Sequence, residues 1–394
     1  MTAAMTSIRT PPGLFALAVA AFAIGTTEFV IVGLIPEMAR DLGVSLTTAG
    51  LLVSLYALAI TLGAPSVTAL TGRLPRRQLA IGLMAIFTAG NLIAAVAPGY
   101  GLLLAGRIVT GIAHGVFFSI GATVATSLVD KTRSGQAVAL MFAGLTVAMV
   151  VGVPLGAFIG QHLGWRAPFL VVAGLGVVSM AGLILFLPKQ IAHTPPSGLA
   201  AQLKLLGQPR LASLYLVTAF GFGASFTVFT YLSPLMTGVT GVSEGTVSLA
   251  LMLFGVATVI GNLMGGGLSD SLGRRRALVT TLTGLIVALA ALPFTVTNPV
   301  TMFVNLFVWG VFAFGLSPIV QAGVVAVAEE VAPQAVGTAS GFNIAAFNLG
   351  IFGASFLGGV LVAGPGILTT PWAAVAAASV ALTITLIHRE RTHG

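Results

Sequence analysis

Three titratable side chains, Glu28, Arg107 and His114, stand inside long apolar stretches of this sequence. A carboxylate and an imidazole can each take up and release a proton, while a guanidinium keeps its charge. Charge removed from water is costly unless it is paired, so an acid and a base enclosed in apolar chain belong to each other or to a function. No paired acids, histidine–metal cluster or Ser/His combination accompanies them. The other histidines, His162, His193, His388 and His393, fall near loops or the C-terminal tail. The usual catalytic sets are therefore missing, and an enzyme is not expected. An ATP-driven pump is disfavoured too, because no Gly-x4-Gly-Lys-Ser/Thr phosphate loop is present. Without cysteine there is no disulfide, thiol catalysis or cysteine metal site, and neither a metal nor a cofactor is expected.

The elements that hold these groups follow from composition. Of 394 residues, 57% are hydrophobic and 7% charged, with mean hydropathy +1.07. Soluble domains carry about a quarter charged residues, and no soluble core of this length hides so much apolar surface. A membrane span needs about 20 mostly apolar residues. That rule predicts twelve spans, near 14–36, 49–71, 79–97, 102–127, 136–159, 167–187, 211–236, 247–268, 277–297, 300–326, 336–363 and 369–387. The runs are continuously apolar rather than alternating, so they read as helices and not barrel strands. The first run, Leu14 to Ile35, is too long for a signal-peptide core and contains Glu28, so it reads as a retained helix. The net charge of +8 does not point to nucleic acid, because the basic residues sit singly or in short clusters between apolar runs.

The basic residues give an orientation. On the side of the two termini lie Arg9, Arg73, Arg76, Arg77, Lys131, Arg133, Lys189, Lys204, Arg210, Arg274, Arg275, Arg276, Arg389 and Arg391. The opposite side has Arg40 and Arg166, and Arg107 lies within a span. The bias predicts cytoplasmic termini in a multi-pass protein.

An offset of 198 residues relates two halves of the chain. Pro36 falls on Pro234, Gly43-Val44-Ser45 on Gly241-Val242-Ser243, Gly63 on Gly261 and Arg76-Arg77 on Arg274-Arg275. Matches at Pro, Gly and Arg in loops exceed what shared hydrophobicity supplies. The reading is an N-terminal six-helix bundle over 1–187, a cytoplasmic linker with Pro195-Pro196 over 188–210 and a C-terminal bundle over 211–394. A parallel six-plus-six repeat places a substrate site between the halves, near the bilayer midplane.

Several motifs resemble the major facilitator superfamily over nearly the whole chain. They are Gly25-Thr26-Thr27-Glu28-Phe29 with Gly33-Leu34-Ile35-Pro36, Arg107-Ile108-Val109-Thr110-Gly111 with His114-Gly115, Gly152-Val153-Pro154-Leu155-Gly156 with Gly164-Trp165-Arg166, and Gly266 through Arg275. Within that superfamily the chain resembles the twelve-span drug:proton antiporters, on a branch of arabinose-efflux-permease-like, sugar-efflux and chloramphenicol-efflux transporters. The resemblance implies an all-α membrane fold of two pseudo-symmetric six-helix bundles. It also implies a bacterial inner-membrane location, a monomer, and partners limited to a small-molecule substrate, protons and lipid. Two departures stand out. After span two the family's Asp and Gly are replaced by Gly72 and Pro75, and the span-five motif is abbreviated.

Helical rise places Glu28 about 12 Å and Arg107 about 9 Å from the outer ends of their spans. Similar depth and opposite charge predict that they share a polar cavity in the first half and interact directly or through water. His114, two turns from Arg107 on the same face, extends the polar path. Glu28, Arg107 and His114 are the expected proton-coupling set. A structural reading stands beside it: Glu28 as a brace for Arg107, and His114 as a packed histidine. Tyr56, Tyr231, Asn343 and Asn348 are expected around a substrate cavity, although isolated span asparagines often only join helices. Gly152, Pro154 and Gly156 permit close helix approach and a kink, as gate or as packing. Asp270 with Arg274 and Arg275 is expected to form a cytoplasmic charge cluster. Two functions remain in view: proton-coupled efflux of a drug, sugar or nucleoside-like molecule, and a facilitator or proton symporter importing a solute.

Overall fold

The structure is a computed structural model, and it describes residues 10–191 and 204–388. Among the described residues, twelve helices are long and apolar enough to cross a membrane. They are α1 (Pro12–Gly33), α2 (Leu46–Thr68), α3 (Arg76–Val96), α4 (Tyr100–Ser127), α5 (Ser134–Leu163), α6 (Arg166–Phe186), α7 (Pro209–Phe229), α8 (Glu244–Leu272), α9 (Arg274–Thr295), α10 (Pro299–Val331), α11 (Pro333–Ala363) and α12 (Ile367–Ile387). Arg9, Arg389, Arg391, His193, His393 and residues 192–203 of the expected linker lie outside the described residues. The face on which α1 begins and α12 ends is called the terminal face below, and the opposite one the distal face.

The repeat is visible in what equivalent residues do. Gly43 and Gly241, 198 positions apart, both adopt left-handed backbone, with φ of 63° and 75°. Just beyond them, Ser45 Oγ accepts from the Thr48 amide at 3.0 Å, and Ser243 Oγ from the Thr246 amide at 3.3 Å. These N-caps start α2 and α8. On the terminal face Arg77 donates to the carbonyls of Ile184 and Leu187, and Arg275 to those of Thr385 and Leu386. Each arginine thereby serves the carbonyl end of α6 or α12, where a helix lacks internal donors.

Prolines shape the spans more than hydropathy suggests. Pro36 offers no amide to Val32, and in that stretch α1 leaves α-geometry at Phe29 for a 3-10 turn over Val30–Gly33. The short helix Ile35–Leu42 follows. Pro234 does the same to Thr230. The seventh span, expected to run unbroken to 236, therefore stops at Phe229 and restarts at Leu232. Pro154 offers no amide to Val150 in α5, and Val150 is at the centre of a π-helical bulge over Ala148–Gly152.

The halves meet toward the distal face. Arg40 pairs with Glu244 at 2.8 Å, Ser248 donates to Gln161 at 3.0 Å, and Thr47 donates to the Gly359 carbonyl at 2.9 Å. Two helix faces show how the halves then part. In α11, a Cβ on Gly359 would meet Tyr231 and Thr47, whereas one on Gly341, about five turns away on the same face, would meet nothing within 4 Å. In α8, Gly255 lies against the Met149 carbonyl of α5, and Gly266, about three turns on, faces open space.

Candidate functional site

The three titratable residues come together with Tyr56, but not in the expected way. Glu28, Arg107, His114 and Tyr56 are 7%, 1%, 5% and 1% exposed. Arg107 Nη1 donates to the Thr27 carbonyl at 2.7 Å, Nη2 to the Glu28 carbonyl at 3.5 Å and Nε to the Leu52 carbonyl at 3.4 Å. The guanidinium carbon lies 3.8 Å from the centre of the Tyr56 ring. Carbonyl dipoles at the end of the regular part of α1, together with an aromatic face, hold the cation. The expected direct contact is thus with the main chain of Glu28.

The Glu28 carboxylate faces elsewhere. Its Oε2 is 4.0 Å from His114 Nδ1. That same nitrogen is 3.0 Å from the Tyr56 hydroxyl. If Tyr56 donates, Nδ1 carries no proton and the neutral imidazole keeps its hydrogen on Nε2. If the imidazole is protonated, Nδ1–H donates to the Tyr56 oxygen, with the Glu28 carboxylate at ion-pair distance. Glu28, His114 and Tyr56 therefore form one buried cluster of groups that can carry protons, and Arg107 clamps the chain that carries Glu28.

Thr27 and Asn91 complete the setting. Thr27 Oγ1 donates to Asn91 Oδ1 at 2.6 Å, and Asn91 Nδ2 donates to the Phe87 carbonyl at 2.9 Å. Four helices, α1 to α4, are tied at one depth. The motif Thr26-Thr27-Glu28 signalled Thr27, but no sequence pattern signals the Leu52 carbonyl.

The second half carries no such set. At the 198-residue offset Glu28 becomes Phe226, Tyr56 becomes Phe254 and His114 becomes Phe312. Phe229 stacks on Phe254 at 4.6 Å and Phe254 packs on Trp309 at 5.3 Å. The Trp309 indole donates to Ser225 at 3.0 Å. Phe29 reaches Phe226 across the halves, with ring centres 6.1 Å apart.

The remaining expected residues are dispersed. Tyr231 sits in the break of the seventh span, where its hydroxyl fills the space over Gly50 and Gly359, so it belongs to the distal contact. Asn343 receives from Thr218 and donates to Gln321, which joins α7, α10 and α11. Asn348 donates to Ile344, and its Oδ1 is buried without a partner. Gly152 and Gly156 lie against Thr26 and Val30 of α1, in a stripe that Gly144 and Gly160 extend to Ala18 and Leu34. Pro154 marks the α5 bulge. Arg274 reaches the Gly323 carbonyl and Arg275 those at the end of α12, while Asp270 is exposed. No salt bridge within 4.0 Å joins Asp270 to either arginine among the described residues.

On the distal face, the Trp165 indole and Arg166 donate to Asp41 Oδ2, each at 2.8 Å. They hold the Asp41 carboxyl below its ordinary range. Burial pushes the nearby Glu37 carboxyl up, against the hydrogen bond from the Trp165 amide.

The sequence profile of the Major Facilitator Superfamily matches residues 17–316 and again 214–393. The chain belongs to the Major Facilitator Superfamily. This major facilitator is 45% identical to the "Uncharacterized MFS-type transporter YtbD" of Bacillus subtilis, over 92% of this chain and 91% of that one. It is 36% identical to the "Chloramphenicol resistance protein" of Streptomyces lividans, over 86% and 90%. Its fold matches a crystal structure of a bacterial homologue of the human lysosomal transporter Spinster, in an inward-facing and unoccupied conformation. The TM-score is 0.78 at 17% identity, covering 95% and 96% of the two chains. It is a membrane transporter and not an enzyme, and two pseudo-symmetric bundles of six helices make up its fold.

Proposed function

We propose that this transporter exports a small organic molecule in exchange for protons. The observation that carries the reading is the Glu28 carboxylate: buried within the spans, 4.0 Å from His114, with Arg107 bound to carbonyls instead of to it. An acid already locked to a guanidinium would keep its charge throughout a cycle. This one is not so held, which leaves it able to exchange a proton with the imidazole beside it.

Coupling follows from competition. With no substrate, a carboxylate out of water is costly, so proton uptake is favoured. A polar or cationic group of the substrate beside Glu28 stabilises the ionised form and releases the proton. Exchange needs only that proton and substrate favour different states of one alternating-access equilibrium. The basic residues of the terminal face support a cytoplasmic assignment for it and for both termini. The distal contacts then close the outside, and entry is from the cytoplasm. We assign 1–187 and 211–394 as the two moving bodies, joined by 188–210, with the α5 bulge against Gly255 as a pivot. The relative in Streptomyces named for chloramphenicol resistance favours export over import.

A substrate panel on inverted vesicles tests this, with dissipation of a proton gradient as the readout. Substrate-dependent proton movement that is lost in Glu28→Gln is expected. Uptake toward the cytoplasm, or transport with no proton movement, would instead identify a symporter or a facilitator.

A further inference from the structure

Arg76 is the first residue of α3 on the terminal face, and it is 5% exposed. Its Nε and Nη1 are cut off from solvent and have no hydrogen-bond partner. An arginine does not escape such a place by losing its proton, and a buried cation without a counter-charge is strongly unfavourable. The position adds to the imbalance. Pro75 caps α3 without any side-chain hydrogen bond, so the first-turn amides lack a side-chain acceptor and the helix dipole is positive there. Arg76, as the first residue of the helix, adds a full positive charge to that end.

Neighbouring residues do not correct this. Arg77 is committed to the end of α6, and Arg73 is a further, exposed cation. The internal repeat shows what has been removed. Asp270, in the last turn of α8, corresponds to Gly72 in the loop before Arg76. The second half keeps an acid one turn before its arginines, although not within 4.0 Å of them, and the first half has none at that position.

We propose that Arg76 and the first-turn amides of α3 form a binding site for a phosphate-bearing anion. A helix N-terminus with an arginine supplies backbone N–H donors, a favourable dipole and a planar fork for phosphate oxygens. The site lies where a span begins, at the depth of lipid headgroups. A phospholipid phosphate and a free phosphate share this chemistry.

The test uses the full chain in detergent, with native mass spectrometry and thermal unfolding read against added phosphatidylglycerol or inorganic phosphate. At least one probe binds and raises the unfolding temperature of the parent. Stabilisation by phosphatidylglycerol alone identifies a lipid site; stabilisation by inorganic phosphate identifies an anion site open to solutes. Arg76→Gln weakens the apparent affinity about tenfold, the loss expected for hydrogen bonds to a charged group. Arg73→Gln, which alters an exposed cation nearby, leaves it unchanged. Gly72→Asp supplies an internal carboxylate, so it removes the response and gives an unfolding temperature without a probe no lower than the parent's. Gly72 is not among the left-handed glycines, so aspartate there meets no backbone strain. Should Arg76→Gln fail to fold, Gly72→Asp decides alone. The site is refuted if neither probe stabilises the parent, if Gly72→Asp responds like the parent, or if Arg73→Gln loses as much as Arg76→Gln.

Discussion

Arg107 grips the backbone of Glu28 and not its carboxylate: Nη2 lies 3.5 Å from the Glu28 carbonyl, with Nη1 2.7 Å from that of Thr27. The two residues are neighbours with separate tasks. One fixes where the last α-helical turn of α1 sits, and the other keeps a carboxylate available at that place. A structural role for Arg107 and an exchangeable role for Glu28 are therefore compatible.

The first consequence concerns Arg107→Lys. A single ammonium keeps the charge but cannot reach the carbonyls of Thr27, Glu28 and Leu52 together. Unfolding in detergent should show a loss of about 1.5–3 kcal/mol, the range for hydrogen bonds to a charged group. Stability equal to the parent would remove the bracing role.

The α1–α5 contact depends on glycine. A Cβ on Gly144 would run into the Ala18 carbonyl, whereas one on Gly174 of α6 meets nothing within 4 Å. Gly144→Val should abolish recovery of folded protein, and Gly174→Val should leave it intact. Comparable yields from the two would mean that α5 does not need this close approach.

Sequence reading located much of this and misjudged the rest for identifiable reasons. Span spacing gave the depth of Glu28 and Arg107 and put His114 on the face of Arg107, because helical rise and period are regular. It did not foresee that Arg107 would choose carbonyls, since that choice depends on α1 leaving α-geometry at Phe29, well before Pro36. Tyr231 was expected near a central cavity. Its residue type says nothing about the break that Pro234 causes one residue earlier, which turns the ring to the distal contact. Asn343 reads from sequence as free to meet a substrate, yet Thr218 and Gln321 take both ends of its amide. Helix pairing decides these cases, and hydropathy does not encode it.

The Arg40–Glu244 pair spans the halves at an exposed position, so its effect is modest. Exposed pairs contribute about 0–1 kcal/mol, at most about fivefold in a conformational equilibrium. The chain has no native cysteine, so one introduced at Ser248 reports distal opening cleanly. Arg40→Glu should speed its labelling, and the swap with Glu244→Arg should slow it again. Labelling indifferent to both changes would show that the pair does not hold this face.

The tie between Asp41 and Trp165 predicts a pH dependence with a definite sign. The folded carboxyl titrates below its ordinary value of 3.8, through the indole hydrogen bond first and Arg166 second. A depressed value means that the stabilisation is fully present above the ordinary range and fades as pH falls through the folded value. In a Glu37→Gln background, which removes the raised carboxyl on the Trp165 amide, Trp165 fluorescence should stay constant from neutral pH down to about 4 and change only in stronger acid. Adding Asp41→Asn should abolish that acid-side change; an acid-side change that persists would contradict the assignment.

Glu28 carries the central claim. In proteoliposomes holding a pH gradient and a transported substrate, parent protein should move protons only when substrate is added. Glu28→Gln, which matches the shape but cannot ionise, should lose that proton movement at least tenfold while still folding, because the bonds from Arg107 reach the main chain. Substrate-driven proton movement that survives in Glu28→Gln would contradict the account.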